Sequence, residues 1–244
     1  MEFSMRRVNA LLKKEIKDIS KNVNVLFMCI MPLVFAVIYA NVFKGLSNGG
    51  NSAFGKTYIL ELCVYMNLVL VAGFVTAMLI AEEKEKNTMR TLMMSGVSPV
   101  EFLLGKAIIT LIMSVAINIA MFFIMGMEVQ HTISYIILTT LVTITMIELG
   151  AVVGIIAENQ MATSTVGMPI FMAILMIPIL ANISHTIKEI ARFLPNYNMA
   201  VLMKKIFLNK PIGAGDAFEI FVIIVWIILA AAVFGYTYSK KRLD

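Results

Sequence analysis

Charge is scarce in this sequence. Only 14% of its 244 residues are Asp, Glu, Lys or Arg, against about 25% in soluble domains. With 60% apolar residues and a mean hydropathy of +0.89, that scarcity excludes a disordered chain and a soluble enzyme. Cysteine is nearly missing too. Cys29 and Cys63 both fall inside apolar runs, which excludes a disulfide scaffold. There is no CxxC and no HExxH, and His131 and His185 stand alone, so no metal-ligand spacing is present. The eight residues from Gly50 to Thr57 spell GxxxxGK[ST], but they lead into an apolar run with no strand pattern before them, and at Gly105-Lys106 Val100 stands where the first glycine belongs and Ala107 follows the lysine. On this reading the chain holds no cofactor of its own, because the phosphate-loop pattern lacks the strand-to-helix setting in which it binds ATP. No internal repeat of the secondary-transporter kind is visible. These absences point to a passive, channel-forming membrane subunit rather than a membrane enzyme.

What is present is a series of charge-free runs, at 22–43, 62–81, 107–127, 129–147, 159–187 and 220–239. Crossing a hydrocarbon core of about 30 Å takes about 20 apolar residues. Five runs reach that length, and the run from 129 continues through Glu148 to Ile156. None alternates as barrel strands do. The expected fold is an all-α integral membrane protein, a single transmembrane domain over 1–244. An interfacial helix covers 1–21, and six spans lie at about 22–43, 58–81, 100–126, 133–157, 163–184 and 217–239. Thirteen of the 20 basic residues fall on the side of the termini, so both termini are expected in the cytoplasm. The first run follows 21 charged, amphipathic residues and has no cleavage-site pattern, so it reads as a retained span rather than a signal peptide.

Between the spans, three stretches carry pattern. Val8, Leu11, Leu12, Ile16 and Ile19 fall at helical spacing, with Lys13, Lys14, Lys17, Asp18 and Lys21 opposite. Such a basic amphipathic helix is either a topology anchor at the lipid headgroups or an elbow against a cytosolic partner. After the second span, Glu82, Glu83, Lys84, Glu85 and Lys86 crowd the exit. Met89, Leu92, Met93 and Gly96 then share one helical face, which rests on lipid or on a partner. Ser98, Pro99 and Glu101 form a capping box for the third span. On the other side, a short helix over 187–194 is expected to stop at Pro195. A second follows from Met199 to Leu208, with Lys204 and Lys205 snorkelling to headgroups. This segment either caps an exit path or packs over the bundle.

Inside the spans, Gly150 and Gly154 make a small-xxx-small match, and Pro169 and Pro178 interrupt the fifth span. Glu148 is the one acid deep in a span. An ionised carboxylate there costs a few kcal/mol, so it must be neutral, wet or paired. It is expected to face the bundle interior and to bond Lys106 or a polar group such as Asn118. The bond would fix helix register, or the acid would serve a substrate or proton.

The exit loop also carries a resemblance. Ala81-Glu82-Glu83-Lys84-Glu85, Asn87-Thr88, the run Leu92 to Ser98, Glu101 and Leu104-Gly105-Lys106 resemble the signature of ABC-2-type transporter permeases. Leu194-Pro195-Asn196-Tyr197, followed by an amphipathic helix, is similar to that family's segment before the last span. Asn87 departs from it, standing where the family commonly has glycine; asparagine tolerates the left-handed conformation better than most residues. The resemblance implies a permease subunit of an ATP-driven exporter in the plasma membrane of a prokaryote. It would pair with a second permease, identical or homologous, and with cytosolic P-loop ATPase subunits that hold ATP and Mg. Glu82, Glu83, Glu85, Met89, Leu92 and Met93 would belong to the coupling helix that docks on the ATPase. The cargo would be an amphipathic drug, antimicrobial peptide or lipid-like molecule. Two other classes are compatible with six spans: an ion-coupled secondary transporter, and a non-transporting scaffold or immunity protein.

Overall fold

In hydrocarbon a backbone amide has no water to turn to, so each apolar run closes its own hydrogen bonds as a helix. The computed structural model of the chain follows this rule. It describes residues 5–46, 53–86, 88, 99–181 and 183–241. Every regular element among them is helical.

Among the described residues six helices are long and apolar enough to cross a membrane. The first span is Val23–Leu46. The second is one continuous rod made of Ala53–Asn67, a π-helical stretch Leu68–Val75, and Thr76–Glu85. The third is Pro99–Ile124, the fourth Thr132–Ile156, the fifth Ala162–Leu180 and the sixth Ala217–Lys241. An even number of crossings returns both ends of the chain to one face, termed here the terminal face; the other is the far face. The second span runs well past its expected bounds. At 1.5 Å per residue its rod is about 50 Å long, so it overshoots a core of about 30 Å. Its overhangs carry charge, Lys56 and Glu61 at one end and Glu82 to Glu85 at the other.

Burial sorts the spans into a centre and a rim. The apolar stretch of the second span is 89% buried and that of the fourth 61%, against 17% for the first and the sixth. The second and fourth spans are thus the axis on which the others lean. Their contact depends on missing side chains. A Cβ on Gly150 would stand 2.4 Å from the Gly73 carbonyl oxygen, and one on Gly154 would stand 2.7 Å from that of Ala77. The Gly150/Gly154 match is therefore a real crossing, and it meets the π-helical stretch. Such bulges widen a helix by one residue per turn and recur at functional sites. Phe171 of the fifth span closes on Phe74 edge-to-face, with centroids 4.7 Å apart.

The short segments depart from expectation in two places. The N-terminal helix Met5–Ile19 forms, but Ile16 is 57% exposed. Its buried face runs through Leu11, Glu15 and Ile19, one turn apart, and packs on the third span. On the far face, Pro195 starts a helix instead of stopping one. The two helices there are His185–Ala191 and Pro195–Phe207. Leu194 is extended and Pro195 takes the first helical position, where its missing N–H is not needed. Met199, Ala200, Leu202 and Met203 then bury this helix against the second, fourth and sixth spans. Its lysines do not snorkel to headgroups, because carboxylates are nearer. Lys204 Nζ lies 3.1 Å from Glu61 Oε2, and Lys205 bonds Asp216. Asn196 Nδ2 donates to Ile174 O at 2.6 Å and pins the helix to the fifth span.

Candidate functional site

A dense set of charges gathers where the second span leaves the bundle at the terminal face. Lys106, seven residues into the third span, is only 1% exposed. A buried ammonium needs partners, and it has two. Lys106 Nζ donates to Glu15 Oε1 at 2.8 Å and to Glu83 Oε1 at 3.4 Å. Lys14 Nζ donates to the same Glu83 oxygen at 2.6 Å, and Thr88 donates to its other oxygen. The Phe102 ring lies 5.1 Å from the Lys106 ammonium and adds a cation–π contact. Two lysines and two glutamates therefore form one knot. It joins the N-terminal helix, the end of the second span and the start of the third.

Burial pushes the Glu15 carboxyl above its ordinary range; the charge and hydrogen bond of Lys106 pull it back only in part. Burial pulls the Lys14 ammonium down, but its Glu83 hydrogen bond and the nearby carboxylates outweigh that and hold it above its ordinary value.

The neighbouring charges extend the junction. Asn22 Nδ2, just before the first span, donates to Glu82 Oε2 at 3.3 Å, and Lys86 bonds the other oxygen of Glu82. Lys84 Nζ donates to Ile155 O at 2.7 Å and also to Ala157 O, capping the carbonyl end of the fourth span. Glu85 Oε2 accepts from the backbone N–H of Gln160 at 3.0 Å. Glu82, Glu83 and Glu85, singled out from the exit loop, are thus each bound to a different segment. Met89, Leu92 and Met93, as well as Asn87 and Ser98, lie outside the described residues.

The pairing expected for Glu148 is not found. Lys106 is taken by Glu15 and Glu83. Asn118 lies twelve residues further along the third span, about 18 Å away. There its Oδ1 accepts from Asn67 Nδ2 at 2.8 Å, and Asn67 also donates to Ser114 O and Oγ at 2.9 Å each. Tyr135 OH of the fourth span donates to Asn118 O at 3.2 Å. Glu148 instead lines an apolar cavity, and its Oε2 is buried without a hydrogen-bond partner among the described residues. The expectation treated every inward position of the N-terminal helix as apolar. That left Lys106 without its true partner and made Glu148 the nearest acid to offer.

Sequence reasoning missed Glu15, Asn67 and Glu61. Glu15 had a signal: it stands four residues from both Leu11 and Ile19, so it shares their face. Asn67 also had one, as an amide inside the charge-free run 62–81. Glu61, whose Oε1 accepts from Tyr65 OH at 2.9 Å, had only its place one turn before that tyrosine. Among the described residues no group of three His, Cys, Asp or Glu side chains is placed to hold a metal ion. Cys29 and Cys63 are free thiols.

Two comparisons bear on this arrangement. No curated protein matches the chain at a significant level. The family model described as "ABC-2 family transporter protein" matches residues 48–237, which holds all of the second to fifth spans and most of the sixth. With six spans, the charged exit junction and that match, the chain is a multi-pass membrane protein of the ABC-2 transporter family, a family of transmembrane components rather than ATPases.

Proposed function

We propose that the chain is the permease subunit of an ATP-driven exporter. It acts with a second permease half, identical or homologous, and with cytosolic P-loop ATPases that bind ATP and Mg. The terminal face is the cytoplasmic face of a prokaryotic plasma membrane, in keeping with the excess of Lys and Arg there. The cargo is amphipathic: a drug, an antimicrobial peptide or a lipid-like molecule.

The observation that carries this reading is the junction around Glu83. Residues 82–95 are the coupling segment, and the knot ties its start through Glu83 and the third span that follows it through Lys106. A partner that pushes on this segment moves the N-terminal helix and the second and third spans together, because buried ion pairs link them. That is the mechanical requirement of a subunit driven from outside by ATP hydrolysis. Met89, Leu92 and Met93 supply an apolar ridge for a groove on the ATPase.

Replacing Leu92 and Met93 together by Asp tests this. The variant should insert in the membrane as the wild type does. It should no longer co-purify with the ATPase, and cargo-stimulated ATP hydrolysis should vanish. Wild-type recovery of the complex together with wild-type hydrolysis would remove the segment from the coupling role.

A further inference from the structure

A cavity of about 540 Å³ opens between the second, third, fourth and sixth spans, in the terminal half of the bundle. Its walls are aliphatic and aromatic, with Ile80, Leu104, Ile108, Ile144 and Phe234 prominent. Glu148 interrupts them. It sits eight residues before Ile156, the last residue of the fourth span, so about 12 Å from the helix end. Its Oε2 is buried and has no hydrogen-bond partner among the described residues. Two cations near the cavity are committed elsewhere: Lys84 to the carbonyls of Ile155 and Ala157, and Lys106 to Glu15 and Glu83. Thr76, also in the wall, donates its hydroxyl hydrogen to Thr110 Oγ1 at 3.1 Å. Among the described residues the lining has no cation and no polar groups besides Thr76, Tyr238 and Glu148, and no donor reaches Glu148 Oε2; an apolar chamber with one such carboxylate is complementary to a positive charge on an apolar body.

We propose that this cavity is a binding site for a lipophilic organic cation, in which a protonated amine donates to Glu148 Oε2 and an apolar body rests on Ile80, Ile108 and Phe234. The volume lies within the range of about 300–1,000 Å³ typical of small-molecule sites. The occupant is a free amphiphilic amine and not the ammonium of a bilayer phospholipid. Such a lipid would have to draw its phosphate about 12 Å below the helix end along with the ammonium, and a second buried charge has no counter-ion in these walls. The site belongs to this chain alone. It requires neither the ATPase nor a second permease, so it stands or falls apart from the proposed function.

The test is saturation binding of tritiated imipramine, whose protonated amine carries one N–H donor on an apolar body, to the full chain in phosphatidylcholine nanodiscs, with empty nanodiscs as blank. Octylammonium and 1-octanol, which share a chain and differ in charge, serve as competitors. The proposal expects saturable binding above the blank. Octylammonium should displace the probe at concentrations at least ten-fold below those of octanol. Glu148→Gln keeps the side-chain shape and should weaken binding at least ten-fold, with its thermal unfolding midpoint confirming that it is folded. Ala231→Leu narrows the cavity from the sixth span without touching the acid, and should weaken binding as well. No saturable binding by the wild type overturns the proposal. So does a folded Glu148→Gln that binds like the wild type, or octanol that competes as well as octylammonium. Displacement by added phosphatidylethanolamine vesicles as strong as that by octylammonium would overturn the choice of a free amine.

Discussion

At the terminal face the second span is held by charge: Glu83 lies between Lys14 and Lys106, and Lys106 reaches on to Glu15. Ten residues deeper, about 15 Å along the same rod, it is held by the lack of side chains. There Gly150 and Gly154 let the fourth span meet the backbone of Gly73 and Ala77. The difference follows from the surroundings. Near a membrane surface, charged side chains can find both partners and residual water. In the hydrocarbon, helices gain nothing from hiding apolar surface from lipid, so close backbone packing does the work. The two contacts should also fail differently. A knot of charges tolerates replacement of the whole set but not of one member. A glycine crossing tolerates no enlargement at all.

The largest effect is expected where the knot loses its shared cation. Lys106→Met leaves Glu15 and Glu83 facing each other with only Lys14 nearby. Breaking a buried pair by removing one partner costs about 3–5 kcal/mol. The variant should unfold at a clearly lower temperature in detergent. Adding Glu15→Gln should recover part of the loss, because an amide does not demand a counter-ion. A single variant as stable as the wild type would show that the charges do not hold the span.

Gly150→Ala probes the other contact. Alanine favours helix over glycine by about 1 kcal/mol, which alone would stabilise the variant. Against this, its Cβ would meet a backbone oxygen at 2.4 Å, and backbone cannot rotate away. Overpacking costs about 1–3 kcal/mol, so the clash should win. Gly235→Ala is the control: nothing lies within 4 Å of its Cβ position, so propensity should prevail there. If both variants shift the unfolding midpoint upward, the crossing is looser than its geometry states.

These contrasts also explain what could be read from sequence. The spans were legible because hydrocarbon forces long apolar runs, and the fourth survived one acid in its middle. The glycine crossing was legible because its chemistry is local, two glycines four residues apart. The knot was not. Glu15 and Lys106 are 91 positions apart, and nothing in either neighbourhood names the other. The far-face helix was half legible. Its amphipathic stretch was visible, but Glu61 and Asp216, which its lysines meet, come from the second span and from the turn before the sixth. Glu148 was correctly marked as unusual and wrongly given a partner, since Lys106 was already engaged by a residue outside the spans.

A smaller effect belongs to the buried amides, which lie between the two regimes. Asn67 and Asn118 share one hydrogen bond of 2.8 Å within the bundle, while Asn67 keeps two more to Ser114. Side-chain bonds of this kind in membranes average about 0.6 kcal/mol in double-mutant cycles. A cycle of Asn67→Ala and Asn118→Ala should therefore return a coupling below about 1 kcal/mol, less than the knot variant loses. A coupling as large as the knot effect would mean that polar contacts dominate at mid-membrane too, and the contrast with the terminal face would dissolve.

The smallest effect is a slope with pH, and it sharpens what the knot is. Burial holds the Glu15 carboxyl above the ordinary 4.5, so the folded protein keeps that proton longer than the unfolded chain does. The sign follows by linkage. Below pH 4.5 both states are protonated and the full stability is present. As pH rises from there through the raised folded value, the unfolded chain releases its proton first and stability falls. Glu15 thus contributes a decline of stability over the mildly acidic range, opposite to that of a carboxylate whose partner overcompensates its burial. Glu15→Gln removes this titration while keeping the side-chain shape, and Glu83 remains on Lys106 at 3.4 Å. Thermal midpoints of wild type and variant, measured in detergent from pH 4 to pH 7, should therefore move apart on a fixed pattern. The wild type should lose more stability than Glu15→Gln between pH 4.5 and neutrality. Parallel curves would mean that Lys106 fully compensates the burial of Glu15, and that the knot is a balanced pair rather than a strained one.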